Sequence, residues 1–303
     1  PSGSPGARYR TQLRRSARTP PTAALGQWGY IMIVRSLAAL LVVGSAATYY
    51  VSARPGPELA DLPTAASPAP QSYQDINAPY DAKYHFVRIR YDVGNSGLAG
   101  FGRRRRGGRE PAWAHDYPRA ERNFLQILNE TTFVDSQTEG SNVITLDDPE
   151  FFKYPIAYIV EVGSWNPTDE EITNLGAYLN KGGFLIVDDT RNERGYELQN
   201  FAFHMDRALP GLLLVSLDHD HEIFDSFFRI DPLKVIPPYG PRNVQYYAIF
   251  EDNDPTKRMM VLLNLNNDIA EYWEYSGQGY APIDLENEAY KLGVNYIVYA
   301  LTH

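Results

Sequence analysis

The chain has 303 residues, 44% of them hydrophobic and 21% charged, and a formal net charge of −9. That length admits one large domain or two small ones, and the lack of any cysteine excludes disulfides, zinc–thiolate sites and thiol nucleophiles. Charge is unevenly spread: residues 1–57 hold seven arginines (Arg8, Arg10, Arg14, Arg15, Arg18, Arg35 and Arg54) and no acid, leaving about −16 on the remainder. An acidic main domain argues against nucleic acid as its partner.

Residues 1–29 read as a basic tail. Residues 30–51, "YIMIVRSLAALLVVGSAATYYV", carry one charge, Arg35, near the start. As a helix this run is about 33 Å long, enough to cross a bilayer core. Arg35 can snorkel to the interface, and Trp28 and Tyr30 at one end with Tyr49 and Tyr50 at the other suit interfacial anchors. The arginine excess before the run places the N-terminus in the cytoplasm and the rest in the periplasm, so the expected location is a bacterial inner membrane, crossed once. The competing reading is a cleaved signal peptide starting at Met32. Residues 52–83, rich in Pro, Ala and Ser, read as a linker or as a strap laid over a partner.

From residue 84 the pattern alternates strand and helix. "YHFVRIRYD" alternates as a strand, and a glycine-flanked loop with Arg103, Arg104, Arg105, Arg106 and Arg109 follows it. That loop is either solvated or a clamp on an acidic surface or lipid headgroups. "PRAERNFLQILNETT" has helical spacing, "NVITL" and "IAYIVEVG" are strands, and "NPTDEEITNLGAYLNKGG" is the clearest helix. Thr168 is its expected N-cap with Glu171 completing a capping box, and Gly182 is its stop. "FLIVDD" is a buried strand, "NFAFHMDRALP" a helix, "MMVLLNLNND" a strand and "EAYKLGVNYIVYALTH" a last helix. The alternation predicts an α/β domain over 84–303, a mainly parallel central sheet flanked by helices. Two aromatic-rich stretches, "VQYYAIF" and "EYWEYSGQGY", suit either core packing or a docking face.

"HDYPRAERNFLQIL", "LGAYLNKGGFLIVDD", "LDHDHEIFDSFF" and "LGVNYIVYALT" resemble a bacterial family of membrane proteins with a domain of unknown function, whose fold is similar to that of class I glutamine amidotransferases. The resemblance covers roughly 84–303. Enzymes of that class use a Cys-His-Glu triad, which a chain without cysteine cannot form, so the resemblance implies a degenerate, non-catalytic fold.

Two clusters are candidates for chemistry. Asp188 and Asp189 end an apolar strand, where ligands gather in open α/β sheets; otherwise one caps the next turn and the other is solvated. His219 and His221 in "DHDHE" could join Asp218 or Glu222 on zinc if that stretch were a strand. It reads equally as a loop before a short helix capped by Asp218 or Asp220. No G-x-S-x-G elbow and no Walker lysine occurs. No catalytic set, metal site or cofactor is therefore predicted. The expected function is that of a membrane-anchored scaffold or accessory subunit, with integral membrane proteins and the lipid bilayer as partners and no nucleic acid. The alternative is a periplasmic hydrolase or ligand-binding domain using Asp188, Asp189, His219 and His221. Anchor, strap and domain together also resemble an accessory subunit of a bacterial photosynthetic reaction-centre and light-harvesting complex, although no chlorophyll-binding motif is evident.

Overall fold

The computed structural model describes residues 77–93, 104–105, 108–109, 111–192, 195–240 and 242–303, all within one compact unit, Ala66–His303. The basic tail, the apolar run 30–51 with Trp28, Tyr30, Arg35, Tyr49 and Tyr50, residues 52–76, Arg103 and Arg106 lie outside the described residues. Among the described residues no helix is long and apolar enough to cross a membrane.

Among the described residues there are nine strands: β1 (Val87–Ile89), β2 (Arg104–Arg105), β3 (Gly108–Arg109), β4 (Asn142–Ile144), β5 (Ile156–Val160), β6 (Phe184–Thr190), β7 (Val215–Ser216), β8 (Gln245–Phe250) and β9 (Met259–Leu265). Five helices accompany them: α1 (Arg119–Thr131), α2 (Asp169–Asn180), α3 (Tyr196–Ala208), α4 (Ile269–Glu274) and α5 (Ile283–Thr302). Seven strands form one sheet in the order β4-β1-β5-β6-β9-β8-β7. The first five run parallel, and β8 pairs antiparallel with both β9 and β7. In chain order the parallel strands are arranged 2-1-3-4-5, a doubly wound pattern that places ligand sites outside the strand carboxyl ends. The arginine loop contributes a separate antiparallel ladder, β2 with β3.

Both faces of the sheet are covered, which is why its central strands read as unbroken apolar runs. Phe86, Tyr158, Ile186 and Leu262 pack under Phe124 and Leu128 of α1, Trp273 of α4 and Leu292 and Tyr296 of α5. Val87, Ile159, Val187 and Leu263 pack under Ile172 and Leu175 of α2 and Phe201 and Met205 of α3. Helix α2 starts as its sequence demands: Thr168 Oγ1 accepts from Glu171 N at 3.2 Å, and Glu171 Oε2 accepts from Thr168 N at 2.8 Å. Asn77 and Ala78, at the end of the segment read as linker, hydrogen bond to Val143 and Asn142 of β4. The aromatic stretches go mainly to the core: Tyr246, Phe250, Tyr272 and Trp273 are all buried.

Helices α2 and α3 meet through a glycine. A Cβ on Gly176 would sit 2.2 Å from the Ala208 carbonyl oxygen. Backbone cannot swing aside as a side chain can, so Gly176→Ala should force the helices apart. We expect it to destabilise the domain by about 1–3 kcal/mol, read as a lower melting temperature with unchanged helical circular dichroism below the transition.

Candidate functional site

Acidic residues crowd the carboxyl edge of the parallel strands. Glu161 directly follows β5, Asp188 and Asp189 lie near the end of β6, and Asp268 follows β9. The segment after β1 brings in His115 and Asp116 behind a short 3-10 turn, Ala112–Ala114. Glu271, in the first turn of α4, completes the group. All are buried except Glu161, whose side chain is 26% exposed. The sheet bends at this point: the β6–β9 register shifts between Val187 and Thr190, and Asp189 adopts φ 44°. Asp116 (φ 65°) and Glu161 (φ 48°) share that left-handed backbone, a conformation that costs free energy in residues with a Cβ and concentrates at functional sites.

The two adjacent aspartates do different work. Asp188 Oδ2 accepts from Tyr158 Oη at 2.6 Å and from the Ile269 backbone at 3.0 Å, while Oδ1 accepts from Asn264 Nδ2 at 2.9 Å. Asp188 thereby ties the start of α4 to β6. The capping expected of one aspartate is thus supplied to a helix distant in sequence, and the other is buried rather than solvated. Asp189 Oδ2 lies 2.8 Å from His115 Nδ1, and its Oδ1 accepts from Arg191 Nε at 3.0 Å. Arg191 also reaches Asp268 at 3.4 Å and lies over the Tyr239 ring. With its side chain 25% exposed, Arg191 stands with Glu161 where the site meets solvent.

His115 has carboxylates on both ring nitrogens. Nδ1 faces Asp189, with Asp116 at 3.6 Å and Glu161 at 3.7 Å, and Nε2 faces Glu271 Oε2 at 3.8 Å. Burial alone would push this imidazole down, but the hydrogen bond and charge of Asp189, with the charges of Asp268 and Glu161, outweigh it and raise the pKa to about 10. Burial likewise works to raise Asp189, yet His115 and Arg191 pull it to about 2. Glu161 rises to about 8 through burial and the charge of Asp189. Burial and neighbouring carboxylates push Asp116 and Asp268 well above the usual range.

Below these groups Arg88 of β1, fully buried, pairs with Glu121 of α1 and donates to the Trp113 carbonyl at 3.1 Å. Six carboxyls (Asp116, Glu121, Glu161, Asp189, Asp268 and Glu271) thus share three cationic partners, Arg88, His115 and Arg191, while Asp188 is held by neutral donors. Asp116 is fully buried, and among the described residues neither of its carboxylate oxygens has a hydrogen-bond partner. Donor atoms from His115, Asp116, Asp268 and Glu271 lie within 4.8 Å of one another, as do those of His115, Glu161 and Asp189.

The structure therefore brings Asp188 and Asp189 into the site and leaves His219 and His221 out. His221 caps the 3-10 turn Glu222–Phe224, accepting from Ile223 N at 3.2 Å, and packs on Phe250 and Tyr299. It takes the capping role expected of Asp218 or Asp220. Phe250 pairs with Met259 at the start of β9, so His221 lies at the opposite edge of the sheet from Asp188. His219 is exposed. Arg104, Arg105 and Arg109 are placed only as strand backbone. The residues missed from sequence are His115, Asp116, Glu161, Asp268 and Glu271. The available signal was an acid within three positions of the end of β5 and β9, as in β6.

No match is found among curated proteins. Residues 85–301 match the model of a domain of unknown function (DUF4159). That match spans most of the chain, and the protein belongs to the DUF4159 family.

Proposed function

We propose that this domain binds a small ligand at the carboxyl edge of its sheet, and that hydrolysis is the chemistry for which the site is equipped. The observation that carries the reading is Asp116: a carboxyl wholly removed from water, with no hydrogen-bond partner, beside Asp189, Asp268 and Glu271. Such a group costs stability, and a fold needing only a packed edge has no use for it. Two further features support the chemistry. Asp189 orients the His115 ring as carboxylates orient imidazoles in acid–base sites. Glu161 occupies a left-handed position between β5 and the helical turn Val162–Ser164, the backbone arrangement that lifts a nucleophile clear of a sheet. This is the finer likeness to class I glutamine amidotransferases, with a carboxylate where their cysteine would stand.

A second reading rests on a different observation, the apolar run 30–51, with Arg35 its one charge, behind five arginines. It makes the protein a single-pass inner-membrane subunit whose periplasmic domain stabilises a larger membrane complex, with a photosynthetic reaction-centre and light-harvesting complex as one candidate. The two readings are compatible in a tethered domain that keeps this site.

Each has its own test. Asp116→Asn removes the buried carboxyl with little change of shape. In buffer stripped of divalent ions it should melt no lower than wild type, and up to about 2–4 °C higher for about 1 kcal/mol. A drop of that size would make the carboxylate part of the scaffolding. The full chain should also respond to some member of a panel of amides, esters and phosphoesters, by turnover or thermal shift, and Asp189→Asn should abolish the response.

For topology, protease added to intact spheroplasts should digest the domain and spare the basic tail. Protection of the domain would reverse the orientation.

A further inference from the structure

We infer that this cluster holds one divalent first-row transition-metal ion, of the Mn2+ or Zn2+ kind, on His115, Asp116, Asp268 and Glu271. This rests on the ligand-binding reading and specifies what the site binds first.

The donors come from two rigid directions. His115 and Asp116 end the segment that follows β1, while Asp268 and Glu271 form the N-cap and first turn of α4, which Asp188 pins to β6. Donors on a shell of radius about 2.1 Å are at most about 4.2 Å apart. The four donor atoms already lie within 4.8 Å of one another, so small side-chain rotations would close the shell.

The surroundings are those of a metal-bound histidine. Such an imidazole nearly always donates its second N–H to a carboxylate, a backbone carbonyl or water, which fixes tautomer and ring orientation. Here Asp189, itself held by Arg191, lies 2.8 Å from His115 Nδ1, and Nε2 is turned toward Glu271 Oε2. Independently, Asp116 presents two buried oxygens with no hydrogen-bond partner. Its neighbours have fixed roles beside the proposed shell: Asp268 Oδ1 caps Glu271 N at 3.0 Å, and Glu271 Oε1 accepts from Tyr280 Oη at 2.9 Å. Asp268 Oδ2 also accepts from Arg191 Nη2 at 3.4 Å, and Glu271 Oε2 lies 3.8 Å from His115 Nε2.

The donor set chooses the ion class. An imidazole suits Zn2+ and its neighbours, and carboxylates suit Mn2+. Ca2+ and Mg2+ prefer all-oxygen shells, Ca2+ with six to eight ligands. A divalent charge would also offset the excess of carboxyls over cations.

The test uses the full chain, extracted in mild detergent, stripped with chelator and re-equilibrated separately with Mn2+, Zn2+, Ca2+ and Mg2+. Elemental analysis after gel filtration should find one Mn2+ or Zn2+ per chain, retained by a His219→Ala/His221→Ala control. Asp116→Asn and Glu271→Gln should each lose it, and Asp189→Asn should weaken affinity about 10–100-fold. Pulsed paramagnetic resonance of the Mn2+ form should show a bound imidazole nitrogen that His115→Gln removes. Circular dichroism identifies any variant that fails to fold, and the nitrogen signal of wild type then carries the test. The inference is overturned if wild type retains neither Mn2+ nor Zn2+, if only Ca2+ or Mg2+ is retained, or if folded Asp116→Asn and Glu271→Gln variants bind as wild type does. If no ion binds but Asp116→Asn still melts as high as wild type, the metal is removed and the ligand-binding reading stands. If Asp116→Asn instead lowers the melting temperature in chelator, that reading is what fails.

Discussion

Negative charge held out of water at one edge of the sheet is the constraint around which the rest of this domain is arranged. A lone carboxylate in a dry interior is driven to take up a proton or find a partner. This fold supplies partners unevenly. Asp188 receives two side-chain donors and a backbone N–H, Glu121 receives Arg88, and Asp189 receives His115 and Arg191. Asp116 receives no hydrogen bond. The inequality separates carboxyls that build the site from those that the site presents. Asp188 belongs to the first kind, and Asp116 to the second.

The layers on either side make that arrangement possible. With helices on both faces, the central strands are dry along their length, and only their ends approach water. Short polar segments after β1, β5, β6 and β9 converge at one such end because those strands run parallel. The opposite end, with His221, Phe250 and Tyr299 in contact, is closed by aromatic packing. A parallel sheet thus sorts its polar residues by strand direction, whichever residues a short window of sequence places together.

That sorting also explains what could be read from the chain. The capping box of α2, the helical spacing of α1 and the apolar runs of β5, β6 and β9 are local signals, and the structure contains all of them. The antiparallel β8 was not foreseen, since its residues gave an aromatic pattern without a direction. Asp188 and Asp189 were legible as a strand end. His219 and His221 looked equally promising because they alternate among acids, yet alternation only matters in a strand, and they lie in a turn. His115 lies 74 residues from its partner Asp189. No local pattern announces such a pairing, which arises only when β1 and β6 are set in one sheet with β5 between them. The burial of Arg88 was not foreseen either: in an alternating strand nothing local announces Glu121, the partner that allows it to be buried.

The attachment of α4 to β6 through Asp188 has a consequence for how relatives of this domain can diverge. Asp268 and Glu271 keep their spacing from the strand because a side chain inside the protein sets it. Surface connections around the opening carry no part of that dimension. Insertions or deletions there can reshape the surface around the site, and under the ligand-binding proposal change which molecules reach it, while the interior distances stay as they are. Under that proposal, a change of loop length in such a domain alters its guests before it alters its interior.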